Sequence, residues 1–250
     1  MNYTTPVFIF ILASVSLVSL LSLVGISLLS LSHEVFHRLV SFLIAMAVGA
    51  LFGDAFLHLL PEAYGREPAW TVGLWVLAGI LGFFALENFL QWRHQHSDEE
   101  MEIQPFGYLS LLADSLHNFM DGLLIGASYL GGVTLGIATT MAVALHEIPH
   151  EFSDFGVLVQ SGFTRGRALF LNFLTALAAV AGGLVAWWVG TASLDFTRAL
   201  LPFAAGNFIY LAGSDLIPQL HRKTGPFRAL FQIAGILLGV GIMLLLKLYE

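Results

Sequence analysis

Residues 106–130, FGYLSLLADSLHNFMDGLLIGASYL, form a long apolar run whose ionisable residues are grouped near its middle. A helix that spans a bilayer needs about 20 predominantly apolar residues, and this run is long enough. Neither this run nor the rest of the chain shows the alternation over about 10 residues that marks a strand of a membrane barrel. The run therefore predicts a transmembrane α-helix.

The composition extends this prediction to the whole chain. The 250 residues are 57% hydrophobic and 11% charged and include 21 Phe, whereas soluble domains carry about 25% charged residues. Too little polar surface remains for a soluble enzyme or a disordered protein. The net charge of −7 argues against a nucleic-acid binder, which needs a basic face. Because Cys is absent, any metal site must use His, Asp, Glu and Asn.

Apolar runs between Gly, Pro and charged residues predict an all-α membrane protein with eight transmembrane helices in one domain, 1–250. We place the helices at roughly 6–31, 39–60, 70–91, 106–130, 133–160, 166–189, 197–220 and 227–248. The polar stretch 93–105 links the third helix to the fourth. We predict a 3+2+3 arrangement, in which the first and last three helices form an inverted repeat.

The distribution of Lys and Arg predicts the orientation, because cytoplasmic loops carry more of both. One set of alternate loops holds seven of them: Arg38, Arg93, Arg165, Arg167, Arg222, Lys223 and Arg228. The other set holds three: Arg66, Arg198 and Lys247. The first set should be cytoplasmic, which places the linker 93–105 inside and both termini outside.

Many acidic residues lie well inside the predicted helices, whereas the basic residues lie in loops or at helix ends. They are Asp54, Glu87, Asp114, Asp121, Glu147, Glu151, Asp154 and Asp215, and they are accompanied by His58, His117, His146 and His150. A carboxylate at the bilayer centre costs about 2.5–3.5 kcal/mol, and no Lys or Arg is there to offset it. The remaining ways to stabilise these carboxylates are protonation, a water-filled cavity or a bound cation. Imidazoles and carboxylates together favour a divalent cation, with protons as the second choice.

The fourth and fifth helices carry the densest polar stripes. Asp114, His117, Asn118 and Asp121 share one face of the fourth helix. His146, His150 and Asp154 repeat every four residues along the fifth helix, beside Glu147 and Glu151. Both stripes lie near mid-membrane depth, and a Gly-Gly turn makes the two helices adjacent and antiparallel. The stripes can therefore face each other at the midplane, where transporters hold their substrates.

The strings HNFMDG and HEIPHE on these two helices resemble the paired signatures of the Zrt/Irt-like (ZIP) divalent metal transporters. The second string is similar to the His-Glu-x-Pro-His-Glu form of one subgroup. GDAFLHLLPEA on the second helix and AGNFIYLAGSDLIPQL on the seventh resemble other motifs of the family. The resemblance implies eight helices, both termini outside, metal movement toward the cytoplasm, and a binuclear site at the midplane.

The resemblance also implies a ligand set for that site. Its members here are His117, Asn118, Asp121, His146, Glu147 and His150. Some family members add a carboxylate from the sixth helix, but 166–189 contains no acid, which leaves one or two metal ions. Further positions are candidates for the metal pathway: Asp54 and His58 toward the outside, and Asp114, Glu151, Asp154 and Asp215 toward the cytoplasm.

Other roles stay open for several of these residues. The His58 side chain can form a hydrogen bond between helices, and so can the side-chain amide of Asn118. Asp54, His58 and Glu62 share a face, which fits either a metal path or a helix end anchored among headgroups. Glu151 fits a relay ligand or a water-facing acid.

Two rival functions remain beside metal transport. HEIPH satisfies the H-E-x-x-H pattern of zinc metalloproteases, although Pro149 between the two His disturbs the geometry. Proton-coupled transport of an organic solute explains buried acids but not the membrane His beside them. We expect a secondary metal ion transporter, not an enzyme, that carries Zn²⁺ into the cytoplasm by alternating access. The expected partners are divalent metal ions and the lipid bilayer, with a homodimer in the plasma (inner) membrane and no organic cofactor or nucleic acid.

Overall fold

A computed structural model describes residues 5–23, 33–94, 105–221 and 226–248, and these residues form helices, with no strand among them. Eight helices are present in this part of the chain. They are α1 (Thr5–Leu21), α2 (His33–Asp54, Ala55–Leu59 and Leu60–Arg66), α3 (Ala69–His94), α4 (Pro105–Gly131), α5 (Val133–Gln160), α6 (Arg165–Ala176 and Ala178–Ala192), α7 (Leu194–Tyr210, Leu211–Leu216 and Ile217–His221) and α8 (Pro226–Leu248).

Helices α1 and α2 differ from the sequence prediction at their ends, and α2 begins at His33 rather than near 39. Helix α1 ends at Leu21 rather than near 31, and residues 24–32 lie outside the described part. Helix α2 passes through Pro61 and ends at Arg66, although a break was expected from Pro61 onward. A π-helical segment, Ala55–Leu59, precedes Pro61, so this Pro stands in the first turn of a new α-helical segment, where its missing N–H is tolerated. The linker prediction also lies mostly outside the described residues, since 95–104 are not described.

Helices α2 and α7 share an unusual feature. Each is interrupted by a π-helical segment, Ala55–Leu59 in α2 and Leu211–Leu216 in α7. These are the middle helices of the first and last triads in the predicted 3+2+3 arrangement, so the shared irregularity supports an inverted repeat. Such π segments often lie at functional sites, and these two contain His58 and Asp215.

Helices α4 and α5 occupy the centre of the packing. The Gly131-Gly132 turn joins them, α4 packs along α6, and α5 packs against α2. Helix α2 in turn packs along α8, and α7 packs along α3. Within the described residues, four stretches are long and apolar enough to cross a membrane by length and composition: Leu39–Arg66, Arg165–Ala192, Arg198–His221 and Phe227–Leu248.

The approach of α4 to α6 depends on two glycines. A Cβ added at Gly122 would collide with the carbonyl oxygen of Ala179, and one added at Gly182 would collide with that of Phe119. Small residues allow membrane helices to approach to backbone contact. Gly122 follows Asp121 directly, so this contact fixes α4 at the level of its polar stripe.

Candidate metal site

Four buried side chains from α4 and α5 meet between the two helices and form cluster 1: His117, Asp121, His146 and Glu147. Helix periodicity explains the α4 pair, since His117 and Asp121 are four residues apart and lie on one face. Asp121 and His146 are fully buried, and Glu147 is 1% exposed. These four residues therefore bring the polar stripes of α4 and α5 into contact, as the sequence predicts.

The spacing within cluster 1 fits a tetrahedral cation. His146 Nε2 lies 3.1 Å from Asp121 Oδ2 and 3.3 Å from Glu147 Oε1. His117 Nε2 lies 3.3 Å from both Glu147 Oε1 and His146 Nε2, and 3.7 Å from Asp121 Oδ2. Four ligands bound tetrahedrally to zinc at about 2.0–2.1 Å would be about 3.3 Å apart. Small adjustments would therefore bring all four atoms to a single zinc ion.

The hydrogen bonding of His146 leaves its ligand nitrogen available. Its Nδ1 lies 3.2 Å from the carbonyl oxygen of Ala142, which can only accept, so Nδ1 donates and the Nε2 of the neutral ring keeps a lone pair. Asp121 faces this lone pair, and neither Asp121 oxygen accepts a hydrogen bond in the described part of the chain. Two acceptors at this distance require a proton or a cation between them. A metal ion meets this requirement and uses all four side chains.

Three further polar residues form cluster 2 beside the first: Asp114, His150 and Asp154. His150 Nδ1 lies 3.0 Å from Asp154 Oδ2, and His150 Nε2 lies 3.9 Å from Asp215 Oδ2 on α7. The His150 ring stacks on that of His117, with centroids 4.6 Å apart and planes 7° apart. His150, expected with His146 in one ligand set, thus groups with the acids of cluster 2.

Asn118 also belongs beside cluster 2. It is fully buried, and its Nδ2 donates to the Oδ1 of Asp114 at 2.7 Å and to the backbone oxygen of the same residue at 3.2 Å. Its own Oδ1 has no hydrogen-bond partner among the described residues. The amide therefore neither cross-links two helices nor belongs to cluster 1, but it offers one free oxygen.

The outer residues predicted on α2 are held by neighbouring helices. Asp54 is buried and accepts a hydrogen bond from Thr139 of α5 at 2.8 Å. His58 is also buried, and its Nε2 donates to the backbone oxygen of Met243 on α8 at 2.9 Å. His58 therefore makes the interhelical bond that its alternative role requires.

A cavity of about 230 Å³ lies beside this part of α2. It is lined by His58, Glu62, Gly131, Gly132, Val133, Thr134, Leu135 and Lys247. Glu62 forms an ion pair with Arg66, which also donates to the backbone oxygen of Gly131 at 2.9 Å. Asp54, His58 and Glu62 were expected to share one face of α2, and His58 and Glu62 both line this cavity. Glu87 lies in α3, but its side chain is outside the described part of the chain.

Comparison with known proteins adds an independent line of support. A family profile described as "ZIP Zinc transporter" matches residues 5–105 and 91–247. The chain belongs to the ZIP zinc transporter family. Together with the apolar helices, this membership makes it an integral membrane protein.

Several curated ZIP relatives are similar over most of the chain. Zinc transporter SLC39A7 of Mus musculus is 34% identical over 86% of this chain and 64% of its own length. Zinc transporter ZIP13 of Pongo abelii is 40% identical over 83% of this chain and 66% of its own length. Zinc transporter zipt-7.2 of Caenorhabditis elegans is 33% identical over 85% of this chain and 59% of its own length. The chain thus spans less than two thirds of the length of these relatives.

In this ZIP chain, the arrangement of the H-E-x-x-H string differs from that of a metalloprotease site. A zincin holds one zinc ion with both His and uses the Glu as a base. Here His146 belongs to cluster 1 and His150 to cluster 2, while Glu147 contacts the two His of cluster 1 as a ligand would. The described geometry therefore does not support the protease alternative.

Sequence reasoning on this ZIP chain did not predict the hydrogen bonds from α6 to acids on α4 and α5. The helix has no acid, but Thr175 donates to Asp114 and Asn172 donates to Glu151. Asn172 is buried, as is Thr175. The i, i+3 spacing of Asn172 and Thr175 within an apolar stretch of α6 could have indicated this contribution, since such a polar pair lies on one face of a helix.

Proposed function

We propose that the chain transports Zn²⁺ through the membrane toward the cytoplasm by alternating access, with cluster 1 as the central binding site. The spacing of the four buried ligand atoms, 3.1–3.7 Å over the five measured pairs, carries this proposal. A permanent structural zinc site would have the same spacing. Transport is favoured because the site lies between membrane helices in a chain whose relatives are named zinc transporters.

The proposed ligands are His117, Asp121, His146 and Glu147, with Asn118 and His150 beside them. Imidazole favours Zn²⁺, whereas the carboxylates also admit Fe²⁺, Mn²⁺ or Cd²⁺. The transported substrate is one Zn²⁺ at cluster 1, and a second ion would need different ligands because α6 supplies none that is charged.

The proposed path continues on both sides of cluster 1. Asp54 and His58 lie on the outer side, and Asp154 and Asp215 lie on the inner side. Exposure rises in the inner direction, from buried Asp121 to a 38% exposed Asp215 side chain. This gradient supports an inward-facing state, in which a released ion meets Asp154 and Asp215 before water. Asp114 and Glu151 belong to the same inner region.

The proposed setting is the plasma membrane, with both termini outside and the linker 93–105 in the cytoplasm. The seven-to-three division of Lys and Arg between alternate loops supports this orientation. Helices α3 and α8 present many exposed apolar side chains, such as Trp75 and Leu237. Lipid, or a second copy in a homodimer, would cover them.

Zinc uptake into vesicles tests the function. Proteoliposomes with the wild-type chain are expected to accumulate ⁶⁵Zn²⁺ well above protein-free vesicles, with competition by Cd²⁺. Glu147→Gln should lower this uptake about 10-fold or more, because the amide keeps the shape of the side chain but loses the charge that binds the ion.

Glu67→Gln is the matched control, since Glu67 lies at the end of α2 near Arg198 and away from cluster 1. It should transport as the wild type does. Uptake no faster than in protein-free vesicles would refute zinc transport. Peptide cleavage by the wild type that Glu147→Gln abolishes would establish the protease instead.

A further inference from the structure

We propose that Arg66 is a latch that holds the outer side of the protein closed while the inner side is open, by joining α2 to the turn between α4 and α5. The latch consists of the Arg66 side chain, the Glu62 carboxylate and the Gly131 backbone oxygen. This proposal rests on the proposed function, because a latch is needed only if the two sides open in turn, and the experiment separates the two.

One guanidinium nitrogen makes both contacts of the latch. Arg66 Nη2 donates to the backbone oxygen of Gly131 at 2.9 Å and also pairs with the Glu62 carboxylate. Glu62 precedes Arg66 by four residues, so the two side chains lie on one face of α2 and the carboxylate orients the guanidinium. Gly131 is the last residue of α4, and backbone oxygens at a helix C-terminus lack an intrahelical partner and carry partial negative charge. A cation here satisfies that oxygen and joins two helices.

The latch lies beside the cavity of about 230 Å³, which Glu62, Gly131 and Leu135 help to line. A Cβ added at Gly131 would lie 2.8 Å from the Leu135 side chain and 3.4 Å from that of Leu201 on α7. Leu135 and Leu201 are 5% and 0% exposed. The turn between α4 and α5 is therefore packed against α7 by apolar contact, while Arg66 fastens it to α2.

The inner ends of α4 and α5 are packed differently. Among the described residues, a separate apolar cluster forms there, and the partly buried side chains around it come from α4, α5 and α6; its members are Phe155, Leu158, Phe163 and Ala168. The Asp215 side chain on α7 is 38% exposed. Helices α4 and α5 are thus fastened to α2 at their outer connection, whereas this inner cluster joins them to α6. Since alternating access opens one side at a time, a latch for this state belongs at the outer end.

Arg198 provides a matched comparison on the same proposed outer side. Its Nη1 lies 3.7 Å from Glu67 Oε1 and 3.8 Å from Asp195 Oδ1. Glu67 follows α2 and Asp195 lies in α7, so these two ion pairs involve α2 and α7 rather than the turn between α4 and α5. Replacing either Arg by Gln changes the net charge equally. A difference between the two variants therefore reports the contact of Arg66 with Gly131.

Labelling of a thiol in the cavity tests the latch. The chain has no Cys, so Leu135→Cys places a single thiol on the cavity wall. In lipid nanodiscs, a charged maleimide should modify this thiol about 3- to 10-fold faster when Arg66→Gln is added, because loss of one hydrogen bond shifts the population toward the outward-open state. Arg66→Lys, which keeps the charge and a donor, should give a smaller increase. Arg198→Gln should leave the rate unchanged.

Equal labelling rates with and without Arg66→Gln would overturn the latch, and so would an equal increase with Arg198→Gln. Ala45→Cys reports general loosening, because Ala45 is fully buried where α2 packs against α8. It should stay unlabelled beside Arg66→Gln, and labelling there would also overturn the latch. If Leu135→Cys does not give a single folded species in size-exclusion chromatography, Thr134→Cys on the same cavity wall replaces it.

Zinc uptake by vesicles is measured in parallel, so that the latch and the proposed function can fail separately. Faster labelling with Arg66→Gln in a protein that takes up no zinc would refute transport alone. Zinc uptake by a protein whose labelling rate does not depend on Arg66 would refute the latch alone.

Discussion

His146→Ala is expected to lower zinc uptake into proteoliposomes about 100-fold or more, because loss of a ligand exceeds the 10–100-fold effect typical of losing an outer partner. His146 Nε2 lies within 3.3 Å of three other ligand atoms of cluster 1, so its removal leaves the proposed zinc ion with three protein ligands instead of four. It also leaves the Asp121 carboxylate buried without its nearest partner. The measurement is initial ⁶⁵Zn²⁺ uptake over a range of zinc concentrations.

His221→Ala provides the matched control for this substitution. His221 is exposed at the end of α7, outside both clusters, so its removal should leave uptake at the wild-type level. Thermal unfolding with and without Zn²⁺ gives a second readout. A ligand at about 100 times its dissociation constant stabilises a fold by about 2.7 kcal/mol, so zinc should raise the melting temperature of the wild type and of His221→Ala only. Wild-type uptake by His146→Ala would exclude cluster 1 from the transport path.

The parts of the site that sequence could predict are those governed by helix periodicity. The i, i+4 spacing of His117 and Asp121 requires one face in any α-helix, and the Gly131-Gly132 turn makes α4 and α5 antiparallel neighbours. Depth along the two helices then brings His146 level with His117. Each of these steps depends on local geometry, so no knowledge of the other helices was needed.

Features set by other helices were not predictable in the same way. His146 and His150 share a face of α5 by periodicity, yet they lie in different clusters because their partners come from different places. His146 meets Asp121 of α4, whereas His150 lies near Asp215 in the π-helical segment of α7. A π segment changes which residues of a helix face inward, and the regular period of an α-helix does not predict it. Similarly, Thr175 can donate a hydrogen bond to Asp114 only because α6 packs along α4.

Gly122→Ala is expected to destabilise the protein by about 1–3 kcal/mol, although alanine normally favours a helix over glycine by roughly 0.5–1 kcal/mol. The added Cβ collides with the backbone oxygen of Ala179, which cannot move without shifting α6. Separation of α4 from α6 would also displace Asp121, the preceding residue, and weaken the bond from Thr175 to Asp114. Stability and zinc affinity should therefore fall together, which thermal unfolding and equilibrium dialysis would detect.

Gly241→Ala is the control, because it is expected to keep or slightly raise stability where Gly122→Ala lowers it. The comparison tests whether the collision with α6 causes the loss. A Cβ at Gly241 on α8 meets nothing within 4 Å, and the substitution should leave stability unchanged or raise it slightly. Because both variants make the same chemical change within a helix, their difference isolates the contact between α4 and α6. If Gly122→Ala proves as stable as Gly241→Ala and binds zinc as well, the close approach of the two helices does not position Asp121. If it loses stability but keeps zinc affinity, the contact supports the fold alone.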